Sequence, residues 1–404
     1  MIIPRRKANM QPNELKKIIQ YKQTDLSKNI VQQWESELAS FLGRKHAIAV
    51  SSGRFGMKLI FEALNLKLKK EIIIPAYTLK DLIPIIESNK LIPIPADIDI
   101  HTFNISADTI SKRINNNTGA VLATHMFGNP CPIDEIMALS EKNSLFVIED
   151  CAHSIGSRLN NRLTGTFGHA AFFSFETIKP VNTYGGGMIV TDDDTIAVYA
   201  RKTIAECDQK NSITNKVIKA YTERFLFHTG LSFLFLYFLA SPLKKMFTSF
   251  YRKVQTPTQY NKTYSEIQSV LGMEKLQTLQ QRIQNKREKA EYLGALLNNY
   301  IKAQESLPGA YHNFYFFVSL IDEKPAVIRK KLLKHGIDAG ILDEIADDCA
   351  SYLNDVNCPN AQQVYNTAIH LPLYDDITDA HIEKIAYVLQ NLIKHKINKG
   401  INTK

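Results

Sequence analysis

"AFFSFETIKPVNTYGGGMIVT", Ala171 to Thr191, decides how the rest of the chain is read. Apolar, strand-like runs flank a polar loop that carries Lys179 and the consecutive glycines Gly185, Gly186 and Gly187. Two readings stand. The loop is a solvated turn and Lys179 an ordinary surface lysine. Alternatively, Lys179 is a desolvated amine whose depressed pKa suits it to attack a carbonyl, with the glycines leaving room for a flat ligand against the backbone. The stretch alone does not choose between them.

Working outward, strand-like runs recur upstream: "AIAVSS", "EIIIPAY", "LIPIPADI", "AVLATHMFG" and "LFVIEDC". Helical patterns at 56–66, 79–88 and 132–143 separate them. Near-continuous apolar strands alternating with helices imply a parallel sheet covered on both faces. "AAFFSF" and "GGMIVT" follow with no helix between them, so they form an adjacent pair or a hairpin on that sheet. Before the alternation, 25–43 reads as an amphipathic helix stopped by Gly43. After residue 260 the texture becomes α+β. A polar-faced helical stretch at 264–300 precedes a strand in "HNFYFFVSLID", a helix in "AVIRKKLLKHG" and a closing helix at 378–394.

At 404 residues the chain exceeds one ordinary core. The expected division is an N-terminal arm (1–24), a large domain (25–204), an insertion (205–258) and a small α+β domain (259–404). The net charge is +9, and the lysines lie scattered rather than along an aromatic stripe, which argues against nucleic acid. Cys131, Cys151, Cys207, Cys349 and Cys358 show no CxxC spacing, so neither a disulfide framework nor a zinc site is indicated. "MIIPRRKANMQPNELKK" lacks a signal-peptide apolar run, and a reducing cytoplasm is the expected compartment.

Residues 225–243, "FLFHTGLSFLFLYFLASPL", contain no Lys, Arg, Asp or Glu, yet Lys216, Lys219 and Arg224 precede them and Lys244, Lys245, Arg252 and Lys253 follow. A simple transmembrane span would put the two halves of the chain on opposite sides of a bilayer. Two other roles remain open: an interfacial helix or short re-entrant hairpin at the inner face of the membrane, and an insertion buried in contact with another subunit.

Three places carry candidate chemistry. "SSGRFG" (Ser51–Gly56) lies between a strand and a helix, where free N–H groups and the helix dipole favour an anion, though the turn needs glycine in any case. "VIEDCAHS" (Val147–Ser154) puts two acids and a histidine at a strand end. A bland Asp150–His153 pair would satisfy both, and a heterocyclic cation from a ligand is the functional alternative. The third is the opening loop, with Ser174, Thr177 and Lys179.

In this order the three places resemble the DegT/StrS-type sugar aminotransferases, fold type I pyridoxal-phosphate enzymes. The runs that carry the resemblance are "AVSSGRFGMKLIFEAL", "EIIIPAYT", "HMFGNPCPIDEIMALSEKNSLFVIEDCAHSIGS", "TGTFGHAAFFSFETIKPVNTYGGGMIVTDD" and "YNKTYSEIQSVLGMEKL". The resemblance implies a mainly parallel sheet flanked by helices with a smaller C-terminal domain, and pyridoxal 5'-phosphate (PLP) held by Lys179 as a Schiff base. Asp150 would pair with the pyridinium nitrogen, Ala152 would pack on the ring and His153 would lie near its 3-hydroxyl. Ser174 and the backbone N–H groups of Gly53, Arg54 and Phe55 would bind the phosphate. Asn261 would reach the phosphate of a neighbouring subunit, so a homodimer follows. The implied substrates are an amino-acid donor, L-glutamate in most relatives, and a nucleotide-linked keto sugar. No metal is implied.

Competing readings are a PLP-dependent sugar dehydratase, in which relatives replace the lysine by histidine, and a non-catalytic membrane-associated assembly protein. The chain departs from the family's pattern at Arg54, Leu79, Tyr184–Gly185, Thr263 and the loop "GIDAGILDEIADDCASYL". All of these bear on substrate. Arg54 would add a phosphate contact or reach a substrate anion, and Tyr184 would fill the space of a missing glutamate.

Overall fold

The computed structural model describes residues 2–23, 29–66, 68–210, 212–228 and 262–401. Its central sheet consists of β1 (His46–Val50), β2 (Glu71–Pro75), β3 (Ile92–Ala96), β4 (Thr118–Thr124), β5 (Phe146–Asp150), β6 (Ala170–Ser174) and β7 (Gly187–Thr191). The spatial order is β1-β7-β6-β5-β4-β2-β3. β6, β5, β4, β2 and β3 run parallel, and β7 lies antiparallel between β6 and β1. The two runs expected as a pair or hairpin are therefore adjacent antiparallel strands, and the Lys179 loop connects them.

Helices α1 (Glu14–Gln23), α2 (Ile30–Leu42), α3 (Gly53–Leu64), α4 (Ile133–Lys142) and α5 (Asp194–Ala205) belong to the first half of the chain. They are followed by α6 (Thr214–His228), α7 (Glu266–Gln277), α8 (Leu279–Leu297), α9 (Pro325–Lys334) and α10 (Asp379–Ile401). The period-two alternation of a strand explains how the helices cover the sheet. Ile48, Val50, Phe172 and Ile189 face a core with α3 and α5. Their neighbours Ala47, Ala49, Phe173 and Met188 face the opposite core, with Trp34 and Leu38 of α2 and Leu276, Leu279 and Ile283 of α7 and α8. Gly43 stops α2 in the left-handed conformation, with φ of 70°.

A second, antiparallel sheet comprises β8 (Lys302–Ala303), β9 (Phe317–Leu320), β10 (Gly340–Ile341) and β11 (Ala368–Leu371), in the order β8-β9-β11-β10. Residues of α8, α9 and α10 share its core. Asp347–Asp348 pairs with Tyr77–Thr78 and Ala310–Tyr311 with Arg158–Leu159, so this sheet's loops dock beside the carboxyl ends of the large-sheet strands. Ile3 bridges Ile337, which brings the N-terminal arm to the same place.

Among the described residues, no helix is long and apolar enough to cross a membrane. Residues 225–228 lie in α6, and 229–243 of the apolar segment lie outside the described residues.

Gly272 of α7 lies against the indole of the fully buried Trp34: a Cβ there would come within 2.9 Å of two ring carbons. Overpacking of this kind costs about 1–3 kcal/mol. Gly272→Ala is expected to lower unfolding free energy by that amount in denaturant titrations.

Candidate active site

Brought side by side by the parallel register, Thr124, Asp150 and Phe172 lie at one end of the sheet, and Val50, Gly187 and Ser174 continue the row. Ligands of open α/β sheets bind at such carboxyl ends. The chain leaves β6 at Ser174, turns through Lys179 and returns to β7. Phe175 anchors both sides of this loop: its N–H donates to Gly186 O at 2.9 Å, and its carbonyl accepts from Thr183 at 3.0 Å and Gly185 at 3.1 Å.

Lys179 is 7% exposed. Its ammonium stands over the Tyr315 ring, 4.5 Å from the centroid. Burial pulls its pKa down to about 7, against the opposing pull of the Asp150 and Glu176 charges. Asp150 shows the complementary effect. Burial raises its carboxyl above the usual range, partly offset by the Ala152 N–H bond at 2.9 Å and by the Lys179 charge. The solvated-turn reading of Lys179 is thereby excluded.

The pairing of Asp150 with His153 is not formed. Adjacent strand residues point to opposite faces, so Glu149 and Asp150 diverge. Glu149, on the buried face, takes the histidine: His125 Nε2 lies 3.0 Å from its Oε2. Glu149 also accepts from Gly165, Phe167 and Gly168 N–H groups, each at 2.7 Å. Burial would raise this carboxyl, but the His125 bond and the backbone donors hold it below the usual range. Cys151 completes a cluster with metal-ligand chemistry. However, His125 Nδ1 already accepts from Cys131 N–H at 3.1 Å, which makes the cluster a satisfied hydrogen-bond network.

His153 instead stacks on Tyr315, with centroids 4.3 Å apart and planes 14° apart. Burial and the Lys179 charge hold it well below the ordinary histidine range, and its buried Nδ1 has no partner among the described residues. Ala152 follows Asp150 at the same turn and donates the N–H noted above.

The turn at 52–56 is built for close backbone approach. A Cβ on Gly53 would lie 3.0 Å from Phe173 O and 3.2 Å from Ser174 Cβ, and one on Gly187 would lie 2.6 Å from Gly53 N. Only glycines allow β6, β7 and the start of α3 to meet there, and they put Ser174 beside the first N–H groups of α3. Ser52 caps α3 by accepting from Phe55 N–H at 3.1 Å, so Phe55 donates to Ser52. Arg54 extends to the surface and pairs with Asp81 at 3.2 Å. Its guanidinium is engaged by that carboxylate, and its charge still acts on Lys179. Asn261 lies outside the described residues.

Tyr184 is fully buried. With φ of 57°, it turns its ring into the core with α1, α6 and α7, and its hydroxyl donates to Glu14 at 2.5 Å. Burial, and then the Glu14 charge, push its pKa upward. Lys275 closes the network: it pairs with Glu14 at 2.9 Å, both side chains fully buried, and donates to Asn182 O at 2.6 Å. Sequence reasoning missed Tyr315, Glu14 and Lys275. The aromatic run "FYFF", Phe314 to Phe317, leading into β9 is the local signal for Tyr315.

A buried carboxylate opposite a buried amine, an orphaned ring nitrogen at His153 Nδ1 and a glycine-lined anion turn fit the donors and acceptors of PLP. The arrangement defines a fold type I PLP-dependent aminotransferase. The chain belongs to the DegT/DnrJ/EryC1/StrS aminotransferase family, whose model matches residues 6–390, and PLP is its cofactor. It is 27% identical over 384 residues to spore coat polysaccharide biosynthesis protein SpsC of Bacillus subtilis (strain 168), covering 90% of each chain. It is 26% identical to GDP-perosamine synthase of Vibrio cholerae, covering 92% of this chain and 84% of that one. Among solved structures it superposes on Helicobacter pylori PseC, an aminotransferase involved in pseudoaminic acid biosynthesis, with a TM-score of 0.79 and 19% identity, covering 98% and 100% of the two chains.

In cofactor-free protein, Lys179 should react with trinitrobenzenesulfonate in a wave centred near pH 7, well before the bulk lysines. Because the Asp150 charge raises the Lys179 pKa, Asp150→Asn should shift that wave to lower pH. A shift upward, or no early wave in the parent protein, would contradict the geometry described.

Proposed function

We propose that this enzyme moves an amino group from an amino acid, L-glutamate as first choice, to a keto sugar carried on a nucleotide. The observation that carries the reading is the Lys179 amine, buried beside Asp150 with its pKa drawn to about 7. When bound, PLP supplies an electron sink for the pair left at the donor's Cα. Lys179 would hold the cofactor's aldehyde and, once released, take the proton from the donor's Cα and deliver it on the other side of the reacting bond. An amine near neutrality is suited to both directions. Asp150 would hold a proton on the ring nitrogen, and that cation would satisfy the buried carboxylate. His153 Nδ1, buried and unpartnered, would meet the ring hydroxyl. Ser174 and the N–H groups of Gly53 and Arg54 would hold the phosphate, with Phe55 contributing through the turn that its bond to Ser52 stabilises. Ala152 would pack against the ring.

A sugar acceptor is supported by the names of relatives: GDP-perosamine synthase acts in nucleotide-sugar chemistry, and SpsC is a polysaccharide biosynthesis protein. A homodimer in which Asn261 reaches the partner's phosphate belongs to the same reading, as does a cytoplasmic location, which the absence of disulfides among the cysteines supports.

L-glutamate added to the purified protein should convert the cofactor's visible band, and a nucleotide-linked keto sugar should restore it. Lys179→Ala should abolish both changes. Asp150→Asn should keep the colour and slow each half-reaction by several orders of magnitude, and near-normal rates would refute its assigned role.

A further inference from the structure

We propose that Arg6, on the N-terminal arm, binds the α-carboxylate of the amino donor; this inference rests on the aminotransferase reading above. The arm is fastened on both sides of this residue. Ile3 N–H donates to Gly336 O at 2.8 Å, and Asp338 N–H donates to Ile3 O at 3.0 Å. Arg5 pairs with Glu344 at 2.5 Å and with Asp338 at 3.6 Å. Lys7 pairs with Asp376 at 3.2 Å and lies over the Tyr374 ring. Asn9 then reaches the catalytic loop: its Nδ2 donates to Pro180 O, and its own carbonyl accepts from Asn182 Nδ2, both at 3.2 Å. Arg6 is thus held three residues from a contact with the immediate neighbour of Lys179.

Its basic neighbours on the arm are taken by acids, whereas Arg6 forms no ion pair or side-chain hydrogen bond among the described residues, although it is half-buried. Its positive charge acts on Lys179, Tyr315 and His370 at once, pulling each pKa downward, although burial leaves the Tyr315 hydroxyl raised, so the guanidinium lies within Coulombic reach of these three residues. The other charges acting on Lys179 are those of Asp150, Glu176 and Arg54. Glu176 is committed to Lys216 at 2.6 Å, Arg54 to Asp81, and Asp150 faces the cofactor position. Lys179 and Arg6 therefore feel each other's charge across buried protein, and no carboxylate among the described residues is bonded to Arg6. Such a pair repels unless an anion enters between them.

The reaction supplies that anion. Every amino-acid donor carries a carboxylate on the carbon whose proton Lys179 must reach, so the carboxylate arrives next to Lys179. A guanidinium binds a carboxylate through two parallel N–H bonds, which would also fix the Cα–H bond in orientation. A nucleotide pyrophosphate sits on the far side of the sugar from the reacting carbon and fits a cation next to Lys179 less well.

The test compares wild type, Arg6→Gln and Arg6→Lys as loaded enzymes, using spectral titration with α-methyl-L-glutamate, which has no Cα proton. In parallel, single-turnover rates are measured with L-glutamate and L-alanine, and with 4-aminobutyrate and ethylamine, their counterparts without the α-carboxylate. The expected result for Arg6→Gln is retained cofactor colour, a ten- to hundredfold weaker Kd for α-methyl-L-glutamate and at least a tenfold loss of the amino-acid to amine rate ratio. Arg6→Lys should recover part of both. Equal losses for amino acids and amines, an unchanged Kd, or a defect confined to the keto-sugar half-reaction would overturn the assignment to Arg6 alone. If the wild type responded to no amino acid at all, the aminotransferase reading would fall and this inference with it.

Discussion

The Lys179 amine and the Asp150 carboxylate share one buried end of the sheet, feel each other's charge, and are not bonded to each other. That separation is the constraint on which the rest of the site depends. A direct ion pair would satisfy both groups and leave neither a role for a ligand. Held apart, each pays for its burial with a shifted pKa: the amine falls toward neutrality and the carboxyl rises. Both shifts are relieved by one molecule that offers a carbonyl to the amine and a protonated ring nitrogen to the acid.

Keeping the two apart requires a stiff frame, and polar groups from distant parts of the chain provide it. Tyr264 hydroxyl donates to Thr183 at 2.8 Å, and Gln268 Nε2 donates to Gly185 O at 2.8 Å. Glu14, Tyr184 and Lys275 lock the next turn, so α1, the catalytic loop and α7 meet in one buried network. On the opposite side, Asn313 Nδ2 donates to His153 O at 2.9 Å and to Ile155 O at 3.0 Å, which fixes the turn after Asp150. The small sheet thereby contributes the wall, Tyr315, and the brace that positions the ring stacked on it.

What could be read from the chain beforehand follows from how local the signal is. The alternating apolar strands, the glycine turn at 53, Asp150 and Lys179 each lie in short runs whose residue types answer to the geometry of their own segment. The polar partners do not. Glu14 and the Tyr184 hydroxyl it accepts from are 170 positions apart, and His125 precedes Glu149 by 24. Strand alternation requires Glu149 and Asp150 to face opposite ways, yet it does not say which of them finds a histidine. Arg54 shows the same limit: its place beside the anion turn can be read locally, but its pairing with Asp81, 27 positions further on, cannot.

Two buried lysines, Lys275 and Lys179, show what this arrangement selects. Lys275 has a carboxylate at 2.9 Å and carbonyls at 2.6 and 3.2 Å, so its three donors are all used and it serves as a fixed post. Lys179 has the face of a tyrosine ring and uncompensated burial, with none of those bonds. An ammonium bonded as Lys275 is could not swing between two atoms of a reacting bond. A lysine held only by ring contact and distant charge can. The fold thus places its rigidity one turn beyond Lys179, at Asn182 and Tyr184, and leaves the amine itself lightly restrained.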